Sequence, residues 1–174
     1  MLENYRLTVS TPECLPSSVQ VTAEIQFDED LTELLPYLNA ELGPCIYEPG
    51  VPFLRFRRDG KLFAIYPRRI GIAGLSDEDE ARKIFEWLRG EINSVARRKH
   101  QIEPSTRSLS ELKPLGIFKL LPRTNCGECG RSTCMAFAAA IATGEAAPED
   151  CPAFADSEFA DKQSQLLQLL GRRI

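Results

Sequence analysis

Alternation is the first pattern in the chain. Val19, Val21, Ala23, Ile25 and Phe27 are interleaved with Gln20, Thr22, Glu24 and Gln26. A period of two marks a strand with one buried face. From Asp30 to Leu42 the spacing becomes helical, with Pro36 either early in the helix or disturbing it, and Gly43-Pro44 as a stop. Asp59-Gly60 suits a two-residue type I′ turn, which needs positive φ at both central residues. That turn predicts pairing of Arg58 with Lys61, Phe56 with Phe63 and Leu54 with Ile65, the last two pairs on the buried face. Ile70 and Ile72 fit a further short strand.

The clearest helix runs from Ser76 to about Arg98. Ser76 and Asp79 resemble a capping box, and the first turn is acidic, as the helix dipole prefers. Ala81, Ile84, Phe85, Leu88, Ile92 and Val95 form one apolar stripe, read with Trp87 as core packing. Residues 101–114 are polar, carry two prolines and read as a linker. A cysteine module follows, and a last amphipathic helix bears Phe159, Leu166, Leu167 and Leu170 on one side. The expected fold is therefore α+β: an N-terminal antiparallel sheet packed by helices over 1–100, then a small, mostly helical module over 115–174.

At 174 residues the chain can bury a real core, and 43% hydrophobic with 26% charged residues is ordinary for a globular protein. A formal charge of -4 argues against a general nucleic-acid binder. No apolar run approaches a membrane span, and Met-Leu-Glu-Asn-Tyr-Arg lacks a signal-peptide plan, so the expected address is the cytoplasm. There clustered thiols mean metal or redox chemistry rather than disulfides.

Cys126, Cys129, Cys134 and Cys151 carry the chemistry. Their spacing is C-x2-C-x4-C-x16-C, with Gly127 and Gly130 directly after the first two cysteines. Three thiolates from one loop and a fourth from farther away suit an iron–sulfur cluster, and the glycines permit a close wrap with positive φ. Ser132 or Thr133 can cap a helix beginning near Cys134, and Gly144 can end it. Structural zinc and thiol redox chemistry stay open on spacing alone, although zinc ribbons usually show two C-x2-C knuckles and this chain has one.

The run Leu121-Pro-Arg-Thr-Asn-Cys-Gly-Glu-Cys-Gly-Arg-Ser-Thr-Cys-Met-Ala-Phe-Ala138, with Asp150-Cys-Pro152 at a distance, resembles the iron–sulfur domain of the corrinoid iron–sulfur protein large subunit of the acetyl-CoA pathway. It is also similar to a module in the B subunit of Rnf-type electron-transport complexes. The resemblance implies a 4Fe-4S cluster ligated by Cys126, Cys129, Cys134 and Cys151. It covers the cysteine region alone, with no counterpart to a corrinoid-binding domain or a membrane anchor, and residues 1–100 resemble no family.

Between Glu128 and Asp161 the chain has seven acids and one base, Arg131, read either as favouring a low reduction potential and a basic partner or as an ordinary solvated acidic surface. Cys14 and Cys45 read as incidental or buried thiols. Arg55, Arg57, Arg58, Lys61, Arg68 and Arg69 gather around the hairpin, either as a solvated sheet surface or as a docking site for an acidic partner or phosphate ligand. His100 follows three basic residues at a helix end, where the dipole explains it. No phosphate loop, paired histidine or nucleophile signature marks an autonomous enzyme. The function expected is one-electron transfer with a redox partner protein, for instance in activating a corrinoid enzyme. An iron–sulfur accessory or assembly protein and a zinc-stabilised interaction module are the alternatives.

Overall fold

The computed structural model describes residues 1–11, 20–43 and 45–170. Six strands form one antiparallel sheet in the order β1-β2-β6-β5-β4-β3. They are β1 (Tyr5–Ser10), β2 (Val21–Phe27), β3 (Ile46–Glu48), β4 (Phe53–Arg58), β5 (Lys61–Ile65) and β6 (Arg69–Leu75). The β4–β5 hairpin has the register its turn demands: Leu54 opposite Ile65, Phe56 opposite Phe63 and Arg58 opposite Lys61. Asp59 and Gly60 adopt φ of 51° and 74°, the left-handed conformation of a type I′ turn. The Phe56 and Phe63 rings stack at 4.8 Å on the buried face.

Helices α1 (Leu35–Leu42) and α2 (Glu78–Arg97) cover that face. Ala81, Phe85, Leu88, Ile92 and Val95 are buried in the same core as Ile25, Leu54, Phe63 and Ile72, with Ile84 and Trp87 packed at its margin. Two helix starts differ from the sequence expectation. α1 begins at Leu35, not Asp30, because Pro36 lacks an N–H and settles in the first turn, where none is needed. α2 is capped by Asp77 rather than Ser76: its carboxylate accepts from the Glu80 N–H at 2.7 Å. Glu80 reaches back to the Ser76 N–H, also at 2.7 Å, so the reciprocal cap sits one residue later than expected. Val19 lies outside the described residues.

A second apolar core gathers Leu109, Ile117, Leu121, Phe137, Ile141, Phe154, Leu166 and Leu170. It is built from α3 (Pro114–Leu120), α4 (Cys134–Ala142) and α5 (Ala160–Leu169). Leu166 is buried on α5, with Phe159 packed alongside, as the amphipathic pattern requires.

The segment between the cores is tied down along its length. Ile102 joins the first core and Leu109 the second. Buried Asn39 of α1 donates to the carbonyls of Ser105 and Arg107, each at 2.8 Å. The Leu109 N–H bonds to the Cys45 carbonyl at 2.9 Å, and the Tyr47 N–H to Ser108 Oγ at 3.0 Å. From the sheet, Arg55 Nη2 donates to the Thr143 carbonyl at the end of α4, at 3.0 Å. Among the described residues no helix is long and apolar enough to cross a membrane.

Candidate metal centre

The cysteine loop is shaped by left-handed backbone. Arg123, Asn125 and Gly127 have φ of 64°, 52° and 79°, and Gly130 follows at 76°. Positive φ at alternate residues is the pattern that turns neighbouring N–H groups toward one concavity, a shape suited to anionic groups. At Gly130 a Cβ would meet no atom within 4 Å, so that glycine answers a conformational need rather than a close contact. The Gly130 N–H closes a turn onto the Gly127 carbonyl at 2.9 Å.

Asn125 performs a task that the spacing of cysteines does not announce. Its Oδ1 accepts the backbone N–H of Cys134 at 2.8 Å, tying the residue before Cys126 to the start of α4. Thr133 Oγ1 accepts from the Ala136 N–H at 3.1 Å and is the helix cap, so of the two expected caps Thr133 serves. Cys134 is thus the first residue of α4. The signal that could have found Asn125 is its side chain: asparagine tolerates left-handed φ and bonds local backbone.

The thiols differ in exposure. Cys126 is exposed, Cys129 half-buried, and Cys134 and Cys151 are buried. Burial pushes the Cys151 thiol up from its ordinary value; N–H groups of Ala153 and Phe154 oppose this, and negative charge at Cys129 and Cys126 adds to it. Those charges reach Cys151 because the loop and the returning segment face one another. A bound cation reverses this sign, since thiolate ligation releases the proton. N–H groups directed at a ligating sulfur also raise a cluster's potential.

The donor set consists of thiols, and His100 lies far along the chain beyond α2. Among the described residues no three His, Cys, Asp or Glu side chains close to the spacing of a single bound ion. Zinc, ~2.3 Å from each of four sulfurs, needs those sulfurs within about 3.8 Å of one another. A four-iron cube carries its ligands on separate irons and spaces them more widely.

Cys45 is buried in the sheet core, away from the cysteine loop. Cys14 lies outside the described residues. Of the seven acids, Glu145 pairs with Arg131 at 3.5 Å, and Asp150 Oδ2 accepts the Ala147 N–H at 2.8 Å, ordering the turn before Cys151. The six bases near the hairpin divide. Lys61 pairs with Glu80 on α2 at 2.9 Å, and Arg58 lies 4.9 Å over the Trp87 ring. Arg68 reaches Asp30 at 3.5 Å, while Arg55, Arg57 and Arg69 stay on the opposite sheet face.

Comparison with known proteins converges on this segment. Residues 121–153 match the protein family described as "Putative Fe-S cluster". The acetyl-CoA decarbonylase/synthase complex subunit gamma of Methanopyrus kandleri is 44% identical over 59 residues, 34% of this chain and 13% of that protein. The same subunit of Archaeoglobus fulgidus is 48% identical over 58 residues, 33% of this chain and 12% of its own length. The corrinoid/iron-sulfur protein large subunit of Moorella thermoacetica is 50% identical over 46 residues, 26% of this chain and 10% of that protein. The chain thus spans about an eighth of the length of the relatives it matches. No solved structure matches the chain.

Proposed function

We propose that Cys126, Cys129, Cys134 and Cys151 hold a 4Fe-4S cluster and that the protein passes single electrons to or from a protein partner. One observation supports the reading: Cys126 and Cys129 lie within electrostatic reach of Cys151, on a left-handed loop that leads into Cys134 at the start of α4, within the segment that matches the iron–sulfur family. When bound, the cluster supplies one-electron chemistry.

The chain's own residues do the rest. Asn125 and Thr133 fix the start of α4 and with it Cys134. Ala153 and Phe154 direct N–H groups at Cys151, and Phe137 and Phe154 keep water from the inner side. Exposed Cys126 leaves one edge open for a partner to approach. Free thiols of this kind persist in the reducing cytoplasm, where we place the protein.

Relatives of the segment are subunits of acetyl-CoA decarbonylase/synthase complexes and of a corrinoid/iron-sulfur protein. Reductive activation of a corrinoid or another low-potential metalloenzyme is the concrete form we favour. In this scheme residues 115–174 carry the cluster, 101–114 join the two parts, and 1–100 supply docking.

Serine substitution of each of the four cysteines, with anaerobic iron analysis and a potentiometric titration followed by EPR, tests the reading. Each variant is expected to lose iron or shift the signal, and the wild type to titrate as a reversible one-electron couple. Unchanged iron in Cys151→Ser, or stoichiometric zinc without sulfide, overturns it.

A further inference from the structure

The outer face of the sheet, opposite α1 and α2, carries arginines that the fold leaves without counter-charges. Strand alternation puts Arg6, Arg55, Arg57 and Arg69 on this face, because Leu7, Leu54, Phe56 and Ile70 beside them point the other way. The chain has 25 acids to 21 Lys and Arg, so carboxylates are plentiful. Yet among the described residues none of these four arginines forms an ion pair; the bridged bases are Lys61, Arg68, Arg82, Arg89, Arg98, Lys99 and Arg131. Arg55 already donates Nη2 to the Thr143 carbonyl at the end of α4, whereas Arg57 has its Nε buried without a hydrogen-bond partner, a costly state for a charged group. The strand acids on this face are Glu24, which accepts from Gln26 at 2.6 Å, and Glu48, which accepts from the Gly50 N–H at 3.3 Å; Asp28 lines a cleft with Arg6 and Arg69 but forms no ion pair with either.

Between the arginines the floor is low. The register sets Arg55 beside Ala64 and Gly71, and Arg57 beside Leu62 and Ala73. A Cβ on Gly71 would meet no atom within 4 Å, so open space lies above the middle of the sheet.

Nucleic acid is the competing polyanion, and the aromatic side chains argue against it. Base recognition on a sheet uses free ring faces for stacking. Here Tyr66 stacks on Phe53 at 5.8 Å and lies under the Arg69 guanidinium at 4.4 Å, so its ring is already engaged. We infer that the outer sheet face, with Arg6, Arg57 and Arg69 around a floor of Ala64, Gly71 and Ala73, docks an extended acidic polypeptide segment of a protein partner. The inference rests on the sheet and not on what the cysteines hold.

The test is fluorescence anisotropy of a fluorescein-labelled alternating Glu-Ala peptide with the full chain at low salt, against a single-stranded oligo-dT of equal charge. The peptide binds the wild type, and salt weakens it. The pair Arg57→Glu with Arg69→Glu reduces affinity about tenfold or more. Gly71→Trp, which keeps every charge and fills the open floor, reduces it similarly, whereas Arg82→Glu on α2 leaves it unchanged. Trp87 fluorescence and far-UV circular dichroism establish that each variant is folded. No peptide binding by the wild type, equal binding by the charge-reversed and Gly71→Trp proteins, or tighter binding of oligo-dT overturns the proposal.

Discussion

Replacing Asn39 with alanine tests whether the segment after α2 is held by specific bonds. Asn39 is 6% exposed, and its Nδ2 donates to two carbonyls, Ser105 and Arg107, at 2.8 Å each. A buried hydrogen bond contributes about 1 kcal/mol net, and an acceptor left dry costs ~1–3 kcal/mol. Losing two bonds with both carbonyls stranded would approach ~4 kcal/mol by that reckoning. Those carbonyls, however, belong to residues lining a cleft of about 690 Å³ that also includes Asn39, Leu109 and Leu170. Water can reach them once the amide is gone, which returns part of the cost. The expected loss is therefore about 2 kcal/mol, a fall in urea midpoint of about 1 M with the slope unchanged. Amide exchange supplies a local readout: the Ser105 N–H, bonded to the Pro36 carbonyl at 3.0 Å, and the Leu109 N–H, bonded to Cys45 at 2.9 Å, should exchange faster. An unchanged midpoint together with unchanged exchange at Ser105 and Leu109 would refute the reasoning.

Other perturbations reach different parts of the account. Lys61 and the Ser76 N–H and hydroxyl hold the Glu80 carboxyl down to about 2 from 4.5. A lowered carboxyl contributes stability that is complete above the unfolded value and lost as pH falls through the folded one. Acid melting of the wild type should therefore show a loss between about pH 4.5 and 2 that Glu80→Gln largely removes; with the carboxylate 31% exposed, solvent screening limits the effect at neutral pH to about 1 kcal/mol. Asn125→Ala removes both the bond to Cys134 and a residue suited to its φ of 52°, and is expected to lower iron retention with little change in the fluorescence of Trp87 on α2. Cys45→Ala empties a thiol from the sheet core and should cost about 1–2 kcal/mol while iron per chain stays constant. Gly144→Ala places a Cβ 3.3 Å from Ile46 Cδ1 at a φ of 67°, and should destabilise by about 1–2 kcal/mol in thermal melts.

Elements governed by local rules were legible in the sequence. The Asp59-Gly60 turn has one favoured geometry, so the β4–β5 register followed from two residues. The stripe on α2 followed from helical geometry alone. Tyr5, Leu7 and Val9 alternate just as plainly in β1, but a short run at one end of the chain needs β2 beside it before the pattern acquires a face. The cap of α2 was displaced by one residue because Ser76, Asp77 and Asp79 can all cap, and only the chain's exit from β6 selects Asp77. Residues 101–114 read as polar punctuation, whereas their bonds depend on Asn39, Cys45 and Tyr47, which come from distant parts of the chain. The basic cluster separated into helix-facing and open-face groups once strand parity was fixed. At the cysteine loop the spacing of the four cysteines was visible, while the support from Asn125 required knowing that Cys134 opens a helix.

The measurement that tests the central claim most directly is the iron, sulfide and zinc content of protein purified without oxygen, with EPR after dithionite reduction. About four irons and four sulfides per chain with a reduced-cluster signal is the predicted result. One zinc per chain without sulfide, persisting after anaerobic reconstitution with iron and sulfide, would contradict it.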